Sequence, residues 1–306
     1  MIKRITAAVA GLGLALALLV APSPATAAEV ASKGLPGKTA ATSLRSLAGG
    51  PYFFYAIGQQ VFAAGTSTKG AAVNLTVENP AFDTTNDAHS LAELAVRSAD
   101  SQQTVEVGWT KDPIVCGSTG GIANRCLFGF HWINGVPQGY NTGCVDYAAN
   151  PINLGANLSA LTPGTSKRFQ ITWNTGVWWL YYDLQPVCHF PGTRWSTATP
   201  SVTYSDAGLV QAFGEVATKA SGDLTPCTDM GNGLQAGSAG GLAARIGSFS
   251  LTSPTPSTLT GNLSTSTSPA TAAYTIATVT PGITLRYGGD GYDAAGNLPG
   301  TRNTPC

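Results

Sequence analysis

From Pro51 onward, apolar and polar residues alternate in short runs, and no stretch carries the period of a long amphipathic helix. The runs are rich in Val, Thr and aromatic residues and are separated by Gly, Pro, Asn and Asp clusters. They predict strands over residues 52–63, 71–77, 91–98, 104–110, 127–133, 167–174, 177–182, 202–203, 209–217, 243–251, 273–278 and 283–287. Residues 91–97 also suit one or two helical turns. Asn134-Gly135 and Asn174-Thr175-Gly176 are strong hairpin signals, and Pro281-Gly282 marks a third turn. Residues 252–272 read as a Ser/Thr/Pro linker, with two further strands beyond it expected to pack onto the domain. Many short strands of this kind indicate a sandwich or barrel, an all-β fold.

Two strands carry an unexpected residue. The chain has only five Glu, at positions 29, 78, 93, 106 and 215. Glu106 and Glu215 fall at the centres of predicted strands, where Glu is disfavoured. Side chains along a strand alternate between faces. Gln103, Val105, Val107 and Trp109 share one face of the first strand; Thr104, Glu106, Gly108 and Thr110 share the other. In the second, Val210, Ala212, Gly214 and Val216 form the apolar face, opposite Gln211, Phe213 and Glu215. Each glutamate is therefore expected on a water-accessible face away from the core. Gly108 is expected to leave room for a substrate backbone. Two carboxyls in one cleft suit acid–base chemistry; two solvated surface glutamates are the ordinary alternative.

Composition narrows the setting. Lys3 and Arg4 precede an apolar run from Ala7 to Ala21, and Ala25-Thr26-Ala27 offers a small-x-small cleavage site. Residues 1–27 are thus expected to be a secretory signal peptide, 28–50 a flexible leader or short pro-segment, and 51–306 the folded domain. Formal net charge is +0, and charged residues make up 10% of the chain. That argues against a nucleic-acid partner, which needs a basic surface, and no membrane contact is expected after signal removal. Cys116, Cys126, Cys144, Cys188, Cys227 and Cys306 form an even set, which in an exported chain reads as three disulfides of open connectivity.

The blocks around the two glutamates resemble the neprosin family of glutamic peptidases. His89-Ser90-Leu91 precedes Val105-Glu106-Val107-Gly108-Trp109, similar to that family's glutamate-Gly-Trp strand. Leu127-Phe128-Gly129-Phe130-His131-Trp132 leads to Gly139-Tyr140-Asn141-Thr142-Gly143-Cys144. Gly176-Val177-Trp178-Trp179-Leu180 leads to Cys188-His189-Phe190-Pro191. Phe213-Gly214-Glu215-Val216, Met230-Gly231-Asn232-Gly233 and Tyr287-Gly288-Gly289-Asp290-Gly291 with Cys306 complete the order.

The resemblance implies a bent antiparallel β-sandwich of two sheets in a single catalytic domain. It also implies secretion and acid-active endopeptidase activity, with a preference around proline. Glu106 and Glu215 take the catalytic positions. Gln211, Tyr140 and the Trp109 indole are candidate oxyanion donors, and Trp178, Trp179, Tyr181 and Tyr182 candidates for stacking on proline rings or for core packing. Beside the resemblance, the expected bridges are Cys116–Cys126, Cys144–Cys188 and Cys227–Cys306, each stabilising by roughly 2–4 kcal/mol.

This sequence departs from the family in three places. The leader is short for a pro-domain, Phe213 stands where the family has the first Gly of Gly-Gly-Glu, and no second cysteine follows Cys144 closely.

Other chemistries fit less well. There is no Gly-x-Ser-x-Gly elbow and no His-Glu-x-x-His helix, and His89, His131 and His189 are widely spaced. No metal or cofactor is expected. Partners are expected to be protein or peptide substrates, acted on by a monomer. A secreted β-sandwich glycosidase, which also uses paired carboxyls, and a non-catalytic module for cell-wall polymers are the alternative readings.

Overall fold

The computed structural model describes residues 51–149, 151–219, 226–238, 241–268 and 273–289. The expected signal peptide and leader, and Cys306, lie outside the described residues. The strands run β1 (Phe53–Val61), β2 (Gly70–Val77), β3 (Asp87–Arg97), β4 (Thr104–Lys111), β5 (Ser118–Thr119), β6 (Ile122–Ala123), β7 (Arg125–Ile133), β8 (Val136–Pro137) and β9 (Val145–Asp146). They continue through β10 (Thr165–Asn174), β11 (Val177–Tyr182), β12 (Gln185–Pro191), a one-turn helix α1 (Thr193–Ser196), β13 (Leu209–Thr218), β14 (Ala244–Leu251), β15 (Ser264–Ser268), β16 (Thr275–Thr280) and β17 (Thr284–Gly288).

Two large antiparallel sheets form a sandwich. One has the order β15-β1-β13-β3-β4-β7-β8 and the other β16-β17-β14-β2-β10-β11-β12-β9. Alternation decides what lies between them. Phe54 and Ala56 of β1, Ala92, Leu94 and Val96 of β3, and Val105, Val107 and Trp109 of β4 face Val73, Leu75, Phe169, Ile171 and Leu180 of the second sheet. This buried apolar layer is the main source of stability, at about 25 cal/mol per Å² removed from water.

Two tight turns form where the sequence places them. Asn134 and Gly135, both at positive φ (53° and 74°), join β7 to β8; Thr175 and Gly176 (49° and 85°) join β10 to β11. Both central residues of such turns need the left-handed region, hence the Asn-Gly signal.

Residues 91–97 are the expected strand and not the alternative helical turns, because β3 is flanked by β13 and β4 and its backbone groups are spent on both ladders. Two expectations need correction. The linker read into 252–272 contains β15, whose Thr and Ser residues pair with β1 from Tyr55↔Ser268 to Gln59↔Ser264. A polar composition suits such an edge strand. Residues 202–203 lie in no strand, whereas β12, which was not foreseen, extends the second sheet by pairing with β11.

Candidate active site

The face of the seven-stranded sheet turned away from the sandwich core carries a second buried cluster. It contains Tyr55, Leu91, Ala95, Phe128, Phe130, Trp132, Tyr140 and Phe213. Set among these residues are Glu93, Glu106 and Glu215, each 0% exposed. Burial corrects the expectation of a water-accessible face. The side chains do point away from the core, but an aromatic layer closes over them.

Strand β3 is the spine of this arrangement. Its residues His89, Leu91, Glu93, Ala95 and Arg97 share the face, since the alternate Ala92, Leu94 and Val96 enter the core. On one side Glu215 of β13 pairs with Leu91, a level midway between His89 and Glu93. On the other side Glu106 of β4 pairs with Ala95, midway between Glu93 and Arg97. The charged groups therefore follow a zigzag: His89, Glu215, Glu93, Glu106, Arg97. Diagonal neighbours of this kind lie about 7–8 Å apart at the backbone, within reach of long side chains. Glu106 and Glu215 are not themselves neighbours. Their strands are separated by β3 and their levels by four residues, or about 10 Å across and about 13 Å along the sheet.

Each end of the zigzag meets a basic group. His89 Nε2 and Glu215 Oε1 share a hydrogen bond of 2.7 Å, and His89 Nδ1 lies 4.0 Å from Asp112 Oδ2. The loop after β4 holds Asp112, whose Oδ1 accepts the backbone N–H groups of Ile114 (2.8 Å) and Val115 (3.2 Å). The Cys116–Cys126 disulfide ties this loop to β7. At the other end the Trp132 indole donates to Glu106 Oε1 at 3.1 Å. Arg97 donates to Gln211 Oε1 (3.0 Å) and to the Ser101 carbonyl (3.2 Å). Burial draws the Arg97 guanidinium down to about 10, against the opposing charge of Glu106. Burial pushes the Asp112 carboxyl up, with His89 opposing.

Two tyrosines look onto the carboxyls. Tyr55 of β1 pairs with Glu215. Burial, then the charges of Glu215, Glu93 and Glu106, holds its hydroxyl well above the usual range. Tyr140 is raised in the same way, by burial and then by Asp112, Glu215, Glu93 and Glu106. Its ring packs edge-on against Phe128 and Phe130. Its loop is fastened by Asn141, which exchanges hydrogen bonds with Gly129, and by the Cys144–Cys188 disulfide to β12. The Tyr140 hydroxyl has no hydrogen-bond partner among the described residues.

Of the residues singled out from sequence, Glu106, Glu215, Gln211 and Tyr140 share this face. Trp109 does not: its indole donates to the Thr76 carbonyl at 2.9 Å inside the sandwich, as its alternation with Glu106 requires. Trp178 and Tyr182 are also core residues, and the Trp178 indole donates to the Tyr204 carbonyl at 2.9 Å. Trp179 and Tyr181 are half-buried on the outer surface of the second sheet, beside His189 and away from the glutamates.

Gly108 does not leave a substrate channel. A Cβ there would strike the Ala92 carbonyl oxygen and come within 2.7 Å of the Glu93 Cβ. The space its missing side chain frees is occupied by the neighbouring strand. The expected Cys227–Cys306 bridge involves a residue outside the described ones.

Glu93, His89 and Asp112 were missed as site residues. Their signal was available: the alternation that exposes Glu106 also sets His89, Glu93 and Arg97 opposite Ala92, Leu94 and Val96.

A family model described as Neprosin matches residues 86–290. The match begins just before β3, so β1 and β2 lie outside it although both are interior strands of their sheets. No curated protein matches the chain. Among solved structures, chicken Galectin 2 overlaps at a TM-score of 0.28 and 8% identity, covering 54% of this chain and 95% of its own. A carbohydrate-binding module from Bacillus subtilis gives 0.22 and 10%, covering 57% and 82%. A glycoside hydrolase family protein from Mycobacterium thermorestibile gives 0.27 and 11%, covering 55% and 57%. Likeness at this level says nothing about activity.

Proposed function

Because this chain belongs to the neprosin family, and so to a lineage of peptidases, we propose that it is a secreted, acid-active endopeptidase in which Glu106 and Glu215 activate water. The supporting observation is that both carboxyls are buried on one face of one sheet, within the family-matched span, each beside a hydrogen-bond donor or basic group. In this reading one carboxyl works in its ionised form and the other in its protonated form.

The ionised carboxylate takes a proton from water as the water oxygen attacks the scissile carbonyl carbon. The protonated carboxyl gives its proton to the departing amine as the C–N bond breaks. In this reading Tyr140, a buried hydroxyl with spare donor capacity, stabilises the tetrahedral oxyanion. Gln211 is the less suited donor, because its amide N–H already reaches Gln59 Oε1 at 3.2 Å. Substrate reaches these groups only where the aromatic layer over them parts. A preference for proline in the substrate is part of the proposal and rests on the family alone.

Incubation with a proteome-derived peptide library at about pH 3–5, with new termini read by mass spectrometry, tests this reading. New peptide termini are expected, enriched next to proline. Release of reducing sugar from polysaccharide without peptide cleavage would replace the proposal with a glycosidase. Polymer binding with no turnover of either kind would make the protein a binding module.

A further inference from the structure

Peptide hydrolysis by two carboxyls leaves a proton in the wrong place. After one turnover the base holds the proton taken from water, and the acid has given its own to the amine. The site resets only when one proton passes from the first carboxyl to the second. Here those two carboxyls stand on strands separated by β3 and four residues out of step. Direct transfer between them is not what this register arranges.

Glu93 occupies the intervening place. It pairs with Phe213 of β13 and Gly108 of β4, and is therefore the diagonal neighbour of both Glu215 and Glu106. It is 0% exposed. Gly108 lets β4 pass close to this part of β3, since a Cβ there would strike the Ala92 carbonyl oxygen and the Glu93 Cα and Cβ. The charge inventory of the face points the same way. Glu93, Glu106, Glu215 and Asp112 stand against His89 and Arg97, with Lys219 also acting on Asp112, and Tyr55 and Tyr140 both feel Glu93 together with Glu106 and Glu215. His89 lies against Glu215, and Arg97 is influenced by Glu106 before any other carboxyl. Glu93 is thus the carboxyl flanked diagonally by both of the other two glutamates.

We propose that Glu93 is a positioning residue that holds this proton and hands it between Glu215 and Glu106, making the site a chain of three carboxyls rather than a pair. The proposal rests on the peptidase reading. Each cycle is balanced: Glu93 accepts one proton from the carboxyl that deprotonated water and donates one to the carboxyl that protonated the amine. No oxidant, metal or cofactor enters.

Glu93→Gln tests it, because the amide keeps the shape and hydrogen-bonding capacity but carries no titrating proton. The expected result is a fall in kcat of about tenfold or more with KM held within about twofold. Unchanged kcat overturns the proposal. So does a loss of thermal stability with kcat intact, which would make Glu93 merely structural.

If E93Q does not fold, Glu93→Asp is read instead. Withdrawing the carboxyl by one methylene should lower kcat by about tenfold with KM held, and wild-type turnover overturns the proposal. Wild-type protein that cleaves no peptide would instead defeat the peptidase reading itself.

Discussion

Tyr140 shows how much a single hydroxyl carries here. Its ring is fixed by Phe128 and Phe130, so those contacts do not depend on the hydroxyl group. Among the described residues the hydroxyl makes no hydrogen bond. Removing it therefore leaves no other protein group there unpaired and should barely affect folding. Its loss should be felt in the transition state, where it would face the developing oxyanion. We expect Tyr140→Phe to lower kcat by about 10²-fold, with KM and the denaturation midpoint near wild type. Steady-state kinetics alongside urea titration checks both halves.

At the scale of the strand, Gly108 tests the register that builds the site. Any side chain at 108 meets the Ala92 carbonyl and Glu93, groups of a central strand that cannot move aside. Gly108→Ala should destabilise by about 1–3 kcal/mol and lower activity together, measured by urea denaturation and peptide turnover. The same strands show what was legible beforehand. Alternation in β4 and β13 placed Glu106 and Glu215 on the face away from the core, and the structure agrees. It could not reveal that this face is buried, because the cover comes from rings distant in sequence, such as Tyr55 and Tyr140.

β3 was harder to read, because it is buried on both faces and its Leu91, Leu94 and Ala95 spacing also suits a helical turn. Glu93 was lost with it, as was the meaning of Gly108, which only the strand pairing discloses. β15 was hidden for the opposite reason: an edge strand of Ser and Thr has no apolar pattern to find.

For the molecule as a whole, acid pH pulls stability in two directions. Burial raises the carboxyls of Glu78, Asp87 and Asp112. The folded state then binds their protons more tightly than the unfolded chain. Their contribution is fully present below the unfolded values and is lost as pH rises through the folded ones. His131 acts oppositely. Burial, then the charge of Arg194, lowers it from 6.5 to about 3, and its ring lies against Phe190 and Trp195. The unfolded chain takes up that proton first, so stability falls as pH drops below about 6.5. His131→Gln, which keeps an acceptor for Arg194, removes the titration. Relative to wild type it should gain about 3 kcal/mol between about pH 7 and about pH 4. Urea denaturation of both proteins at the two pH values checks the sign.

The whole account depends on peptide-bond chemistry residing at Glu106 and Glu215. The most direct measurement is kcat for cleavage of one defined peptide at acid pH by wild type, Glu106→Gln and Glu215→Gln, with folding of each verified by near-ultraviolet circular dichroism. Each folded variant should lose activity by about 10³-fold or more. A folded variant of either kind that cleaves the peptide at the wild-type rate would contradict it.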